Sequence, residues 1–125
     1  MSPDPESALA KVRELALALP ETTERPSHGA PGFLIEDGKF FAYFCHDHHG
    51  DGETVVIVKT TGADEQATLI EADPDCYFSP AYLGSSGWVA MRLDRDDLDW
   101  DRVGDRIAIN WELAAPRRLL EAGGR

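Results

Sequence analysis

The sequence predicts an α+β domain in which a single antiparallel sheet carries helices packed on one face. Apolar side chains recur every three or four residues near both ends of the chain, which is typical of amphipathic helices. The middle contains β-branched and aromatic runs separated by turn residues, which is typical of strands. The predicted order is helix, hairpin, strand, helix, strand, helix, and 125 residues suit a single domain over 1–125.

The first helix is predicted to begin at Asp4, because aspartate caps free backbone N–H groups and Pro5 suits the first helical position. Its predicted buried stripe consists of Leu9, Val12, Ala16 and Leu19. Pro20 ends the helix, since it has no N–H to continue the hydrogen bonding. Two further prolines restrict the segment from Pro20 to Gly32, which we expect to form an ordered loop.

The predicted strands lie in the middle of the chain. An Asp37-Gly38 turn between two apolar runs predicts a β-hairpin over Gly32 to Asp47. The β-branched run from Thr54 to Lys59 predicts the central strand. A short amphipathic helix is predicted over Ala63 to Ala72, followed by the last strand over Trp88 to Leu93.

The last helix is predicted to begin near Asp97 or Asp99 and to run to about Ala122. Aspartates crowd its start, where the helix dipole favours negative charge. Pro116 lies inside this pattern and should kink or divide the helix. Its predicted buried stripe consists of Val103, Ile107, Trp111 and Ala114.

Side chains alternate between the two faces of a strand, so each strand predicts two sets of residues. One set is purely apolar and is expected to face the helices: Phe40, Ala42, Phe44, Val56, Val58, Val89, Met91 and Leu93. We expect Leu9, Val12, Ile107 and Trp111 to pack on it. The other set is expected on the open face of the sheet: Lys39, Phe41, Tyr43, Cys45, Val55, Ile57, Lys59, Trp88, Ala90 and Arg92.

The open face mixes aromatic and cationic side chains, a combination that both ring stacking and phosphate recognition use. Lysine and arginine stems can also simply cover apolar surface, so this interpretation stays open beside the first. The candidate ligand or nucleic-acid face consists of Lys39, Tyr43, Lys59, Trp88 and Arg92, with Arg117 and Arg118 after Pro116.

The formal net charge is −11, from 23 acidic and 12 basic residues. Nucleic-acid affinity comes largely from cations that displace phosphate counterions, so a chain this acidic repels DNA unless its cations cluster. Clustering of the cations on one face would favour nucleic acid, whereas dispersion would favour a protein or a small anionic ligand. An acidic surface also serves ordinary solubility.

Histidines and carboxylates follow one another from His46 to Glu53, and both are good ligands for transition metals. We nevertheless expect no specific metal at His46, His48 and His49, because the segment is glycine-rich and no second cluster completes a site. A solvated hairpin loop is the alternative that the composition favours.

No catalytic residue and no cofactor is predicted. The serines lack the G-x-S-x-G elbow of hydrolases, and Gly84 to Gly87 does not follow the pattern of a phosphate-binding loop. Cys45 and Cys76 have no CxxC spacing and are expected to serve in packing. The first residues lack a basic segment followed by an apolar run, and no apolar stretch approaches about 20 residues, so we expect a cytoplasmic protein without membrane contact.

The segment from Pro80 to Leu120 reads PAYLGSSGWVAMRLDRDDLDWDRVGDRIAINWELAAPRRLL, and Leu19-Pro20-Glu21 closes the first helix. With these motifs the chain resembles the small bacterial YjbR/MmcQ family. The positions that match are Phe33, Lys59, Pro80, Tyr82, Trp88, Arg92, Pro116, Arg117 and Leu119. The resemblance implies a CyaY-like fold, similar to that of frataxin, and DNA binding through a double-wing arrangement of strands and loops.

The chain departs from that family at one point, since Gly84 to Gly87 stands where some relatives carry a basic stretch. The frataxin-like fold also suggests iron binding on the first helix, but only Glu6 and Glu14 lie within that helix. The resemblance therefore implies a non-enzymatic binding domain with DNA as its partner, which the net charge opposes. The alternative is a module that binds a protein or a small anionic ligand on the open sheet face.

Overall fold

The computed structural model describes residues 4–27, 29–36, 38–47, 52–80, 83–95 and 98–121. The strands are β1 (Thr22–Ser27), β2 (Ala30–Ile35), β3 (Phe40–His46), β4 (Thr54–Val58), β5 (Tyr77–Phe78) and β6 (Val89–Arg92). The helices are α1 (Pro5–Leu17), α2 (Ala63–Ala72), α3 (Trp100–Ala114) and α4 (Arg117–Glu121), with a 3-10 turn over Gly84–Ser86.

Within the described residues the strands form one open antiparallel sheet of six strands, in the order β1-β2-β3-β4-β6-β5. The helices pack on one face of this sheet, which confirms the predicted α+β class. The core between the two layers contains Val12, Phe33, Phe41, Phe44, Val56, Val58, Met91, Leu93, Ile107 and Trp111. No helix among the described residues has both the length and the apolar character that crossing a membrane requires.

The helix ends follow the sequence signals. The Asp4 side chain caps α1 by accepting a hydrogen bond from the Ser7 amide at 2.8 Å. Asp99 caps α3 by accepting from the Asp101 amide at 3.0 Å. Pro116 separates α3 from α4, as expected for a residue that cannot continue the helical hydrogen bonding.

The segment predicted as an ordered loop between Pro20 and Gly32 instead contains β1 and the beginning of β2. Pro26 faces Pro31 near the turn that joins these two strands. β1 is an outer strand, where a residue without an N–H is tolerated. On the other side of β2, pairing with β3 begins at Gly32, so Pro31 has no partner in β3. The prolines therefore do not exclude strand structure here, and this prediction was wrong.

A β-bulge in β3 changes the predicted faces of two phenylalanines. Phe33 pairs with Ala42 and Leu34 pairs with Phe40, so Phe41 is an extra residue in β3. As a result Phe41 lies fully buried in the core, and Phe40 lies half-buried on the opposite face. Simple alternation predicted the reverse for both residues and was wrong there. The remaining members of the predicted apolar set are buried as expected.

β5 is a strand of two residues that the sequence pattern does not predict. Tyr77 pairs with Met91 and Phe78 pairs with Ala90, which places β5 at the outer edge beside β6. The Arg92 amide also donates to the Cys76 carbonyl at 2.9 Å. A segment this short carries no periodicity, so only its pairing with β6 reveals it.

Met91 tests the assignment of the core, because its side chain is fully buried between the sheet and the helices. We expect Met91→Ala to lower the free energy of unfolding by about 2–5 kcal/mol, the usual cost of a large-to-small change in a core. Urea denaturation measures this difference. As a control, Leu113→Ala removes a side chain that is 40% exposed and should cost about 0.5 kcal/mol or less. Equal losses in the two variants would contradict the assignment.

Candidate functional site

The helices of the described residues pack on one face of the sheet, and we call the opposite face the helix-free face. Its side chains occupy the strand positions that alternate with the core: Thr23, Arg25, Ser27, Ala30, Gly32, Leu34, Phe40, Tyr43, Cys45, Val55, Ile57, Phe78, Ala90 and Arg92. Leu34 is only 1% exposed, although it is not part of the core that lies between the sheet and the helices. The side chains of this face therefore cover the sheet themselves.

Three aromatic rings cross the helix-free face, and we call Phe40, Tyr43 and Trp88 the aromatic strip. The rings of Phe40 and Tyr43 are stacked, with centroids 5.3 Å apart and planes inclined by 16°. The ring of Tyr43 meets that of Trp88 at 5.5 Å and an inclination of 45°. All three residues are half-buried, so part of the strip is open to a ligand.

Gly32 makes room for the stacked pair. It lies across from Tyr43 in the register of β2 and β3. A Cβ atom at this position would lie 2.7 Å from Cε1 of Phe40 and 3.2 Å from Cδ1 of Tyr43. The first distance is shorter than real contacts of a Cβ atom, so any larger residue must displace the ring of Phe40.

Hydrogen bonds from neighbouring elements position the middle of the strip and one of its ends. Tyr43 bonds to the side chain of Ser27 on β1, and burial raises the pKa of its phenol although this bond acts in the opposite direction. Gln66 on α2 donates from Nε2 to the Trp88 carbonyl at 2.7 Å and to the Gly84 carbonyl at 2.8 Å. The helix layer therefore fixes the backbone that carries Trp88.

Two cations accompany the strip. The guanidinium carbon of Arg25 lies 5.6 Å from the centroid of the Phe40 ring. Lys59 follows β4 directly, and continuing the pairing of Val58 with Val89 places it across from Trp88. In the described part of the chain, no strand position of the helix-free face carries an acidic residue. The charged residues at the described strand positions of this face are thus all cationic, in a protein of net charge −11.

Arg92 belongs to the same face but is already engaged at its margin. Its Nε lies 3.2 Å from Oε2 of Glu53, and its Nη1 donates to the carbonyls of Pro74 and Asp75. The guanidinium also lies 4.4 Å from the centroid of the Phe78 ring. These contacts tie β6 to the residue before β4 and to the loop before β5, so Arg92 has a structural role.

The other predicted candidates lie apart from the strip. Lys39 is exposed in the turn before β3, where its carbonyl accepts a hydrogen bond from the Ile35 amide. Arg117 and Arg118 lie on α4, whose Leu119 packs into the core on the helix side. The structure therefore brings the rings of Tyr43 and Trp88 together and places Lys59 directly after β4, whereas the α4 arginines lie on the helix side.

The remaining cations are dispersed in ion pairs around the molecule. Within the described ranges, the pairs away from the helix-free face join Lys11 to Glu14, Arg13 to Glu24, Arg102 to Asp73, Arg106 to Glu65, Arg117 to Glu121 and Arg118 to Glu36. The Arg102 hydrogen bond, for example, lowers the pKa of the Asp73 carboxyl. Such pairs connect neighbouring elements or successive turns and do not form a continuous basic surface.

The histidine and cysteine candidates show no common site. His46 Nδ1 lies 2.8 Å from the Thr54 hydroxyl oxygen, whereas His48 and His49 lie outside the described residues. Burial raises the pKa of the Cys76 thiol, which disfavours the nucleophilic thiolate. Cys45 is half-buried on the helix-free face. Among the described residues no group of three or more histidine, cysteine or acidic side chains is placed to hold a metal.

Sequence reasoning missed four residues of the site: Arg25, Gly32, Phe40 and Phe78. The sequence predicts a loop around Arg25, and simple alternation predicts that Phe40 faces the core. The glycine in a strand pattern was the available signal, because it often marks a bulge or a close approach of other groups. Phe78 lies in a strand too short to show a pattern.

The chain matches a family model and is similar to a solved structure. The family model described as YjbR matches residues 17–113. The crystal structure of Deinococcus radiodurans protein DR2400, described with a DUF419 domain, is similar with a TM-score of 0.69 and 17% identity. The match covers 91% of this chain and 83% of that one, and at this identity it shows the fold alone. No curated protein matches the chain.

The role of Gly32 is tested by Gly32→Ala. The added methyl group should displace the Phe40 ring and lower the free energy of unfolding by about 1–3 kcal/mol, the usual cost of overpacking. Denaturation measures the loss, and near-ultraviolet circular dichroism reports the altered ring packing. The double change Gly32→Ala/Phe40→Ala should lose less than the sum of the two single changes, because the clash is then absent. Strict additivity would contradict the proposed clash.

We also expect His46, His48 and His49 to hold no specific metal. After loading with zinc and dialysis against a mild chelator, elemental analysis should find no stoichiometric metal. One zinc ion per chain that survives dialysis, and is lost when all three histidines are changed to alanine, would contradict this expectation.

Proposed function

The chain belongs to the YjbR family, and from that premise we propose that it is a non-enzymatic binding domain that recognises a protein or a small anionic ligand on its helix-free face. The observation that carries the proposal is the aromatic strip, accompanied by Arg25 and Lys59 on a face without acidic strand positions in its described part. Half-buried rings offer contact area at little entropic cost, and the cations offer charge complementarity.

The absence of a catalytic role is part of the proposal and rests on the chemistry of the side chains. Cys76, a possible nucleophile, is buried in an environment that favours its neutral thiol. His46 is hydrogen-bonded to Thr54 and pairs with it in the sheet. Both cysteines are free thiols, which suits a reducing compartment, and we propose the cytoplasm as the site of action.

Duplex DNA is the partner that the family resemblance implies, and the distribution of charge argues against it. Affinity for a duplex comes largely from lysines and arginines that neutralise successive phosphates, so a binding surface carries them in a continuous patch. Arg92 and Arg118 are instead paired with Glu53 and Glu36. Freeing such a cation for a phosphate would leave its carboxylate beside the DNA. This dispersion favours the protein or small-ligand alternative.

The proposal is tested by screening a library of small compounds and peptides by two-dimensional NMR on labelled protein. We expect the shift changes of the hits to centre on Tyr43, Trp88 and Lys59. Trp88→Ala should weaken these hits by at least about tenfold, the equivalent of roughly 1.4 kcal/mol. Lys39→Ala is the matched control, because Lys39 is exposed but lies outside the strip, and should have no effect. Hits that map to α3 and α4 instead would refute the proposal.

DNA binding is tested separately by titrating a fluorescent duplex at several salt concentrations. We expect no complex at physiological salt, or one weaker than about 10⁻⁴ M, the weak end for non-specific binders. If Lys59, Arg92 and Arg117 did contact phosphates, log K against log salt would have a slope near roughly −3, at about −0.9 per contact. A micromolar complex with that slope, weakened by Arg92→Ala, would restore DNA as the partner.

A further inference from the structure

We propose that the ligand of the helix-free face is a small planar aromatic anion, with its ring on Trp88 and Tyr43 and its anionic group beside Lys59. This inference rests on the proposed function and narrows the ligand to one chemical class. The shared chemistry is a flat ring system bearing one carboxylate or phosphate group. Ring contact, charge and site size each support this assignment.

The rings provide the first argument. The ring centroids of Tyr43 and Trp88 are 5.5 Å apart and the ring planes are inclined by 45°, so the two rings are tilted toward each other. Aromatic rings prefer offset or tilted partners at about 4.5–7 Å, and a planar ligand can meet both rings within that range. The strip is fixed from below by the Gln66 hydrogen bond to the Trp88 carbonyl. A preorganised surface of this kind loses little entropy on binding.

The charge provides the second argument. Lys59 directly follows β4, and extending the register one residue beyond the pair of Val58 and Val89 places it opposite Trp88. Residues opposite each other in a sheet have Cβ atoms about 4.5–5.5 Å apart. Among the ion pairs of the described residues none involves Lys59, in contrast to Arg92, whose guanidinium is held by Glu53. A lysine beside an aromatic ring and without a bound carboxylate can bind the anionic group of a ligand, while the ring of that ligand lies on the indole.

The size of the site provides the third argument. The cations of the face without a carboxylate partner in the described part of the chain are Arg25 and Lys59, at opposite ends of the strip. They do not form the row of charges that a single strand of nucleic acid follows. A protein partner would need roughly 800 Å² on this chain, much more than three half-buried rings supply. One ring system and one anionic group match what the strip offers.

The test uses probes that separate ring from charge. AMP and 1-naphthoate carry both a planar ring and an anionic group, adenosine and naphthalene-1-methanol carry only the ring, and inorganic phosphate carries only the charge. Binding is followed by NMR shifts of Tyr43, Trp88 and Lys59 in the full chain. We expect at least one anionic probe to bind at least about tenfold more tightly than its neutral counterpart, and phosphate alone not to shift these residues.

Variants of Lys59 and Trp88 assign the contributions, with a variant of Lys39 as the control. Lys59→Gln should reduce the preference for the anionic probe to about threefold or less, whereas Lys39→Gln should leave it unchanged. Trp88→Leu should abolish binding of the ring. If this variant fails to fold, Trp88→Phe serves in its place, and because it keeps a ring it should retain part of the binding. The selective effect of Lys59→Gln on charged probes is a readout that loss of stability does not produce.

Two outcomes would overturn the inference. One is equal affinity for anionic and neutral probes, or no binding of either anion. The other is affinity for single-stranded oligonucleotides that rises steeply with length above that of AMP, which would indicate a polymer site. If library hits of other chemistry still mapped to the strip, the inference would fail while the proposed binding face stood. Hits elsewhere on the molecule would refute both.

Discussion

The extra residue in β3 is the constraint on which the helix-free face depends. Without the bulge, strict alternation would direct Phe40 toward the helices and Phe41 toward the open side. With it, Phe41 and Ala42 both face the core, and Phe40 is released to stack on Tyr43. A bulge also strengthens the local twist of a sheet. The same irregularity therefore completes the core on one side and creates the aromatic strip on the other.

Most of the fold could be predicted because its signals are local. The Asp4 cap, the division of the last helix at Pro116 and the amphipathic span of α2 each depend on a few neighbouring residues. The strand β1 could not be predicted in this way, since its prolines are acceptable only at an edge and beside a turn. Which strand lies at an edge depends on the arrangement of the whole sheet. The strand β5 also depends on a distant segment, because it is defined by its pairing with β6.

The candidate site was predicted in part for the same reason. Alternation placed Tyr43 and Trp88 on one face, where their rings lie 5.5 Å apart, but it could not show which cations are already paired. Arg92 is paired with Glu53, a residue 39 positions away, and Arg118 with Glu36, 82 positions away. Such pairs form only when folding brings distant segments together, so the spacing of residues in the sequence does not indicate them. A count of positive residues therefore overstates the charge that this protein can offer to a phosphate.

The edges of the described sheet have a consequence for how the molecule meets others. An exposed strand edge invites pairing with a foreign strand, because its backbone donors and acceptors are unsatisfied. Here β1 carries Pro26, which has no N–H, and β5 is only two residues long. Both edges thus offer poor templates for a further strand. Binding of a partner strand along a sheet edge is therefore disfavoured. The same edges, together with the acidic charge, oppose aggregation of the protein at high concentration and leave the aromatic strip accessible.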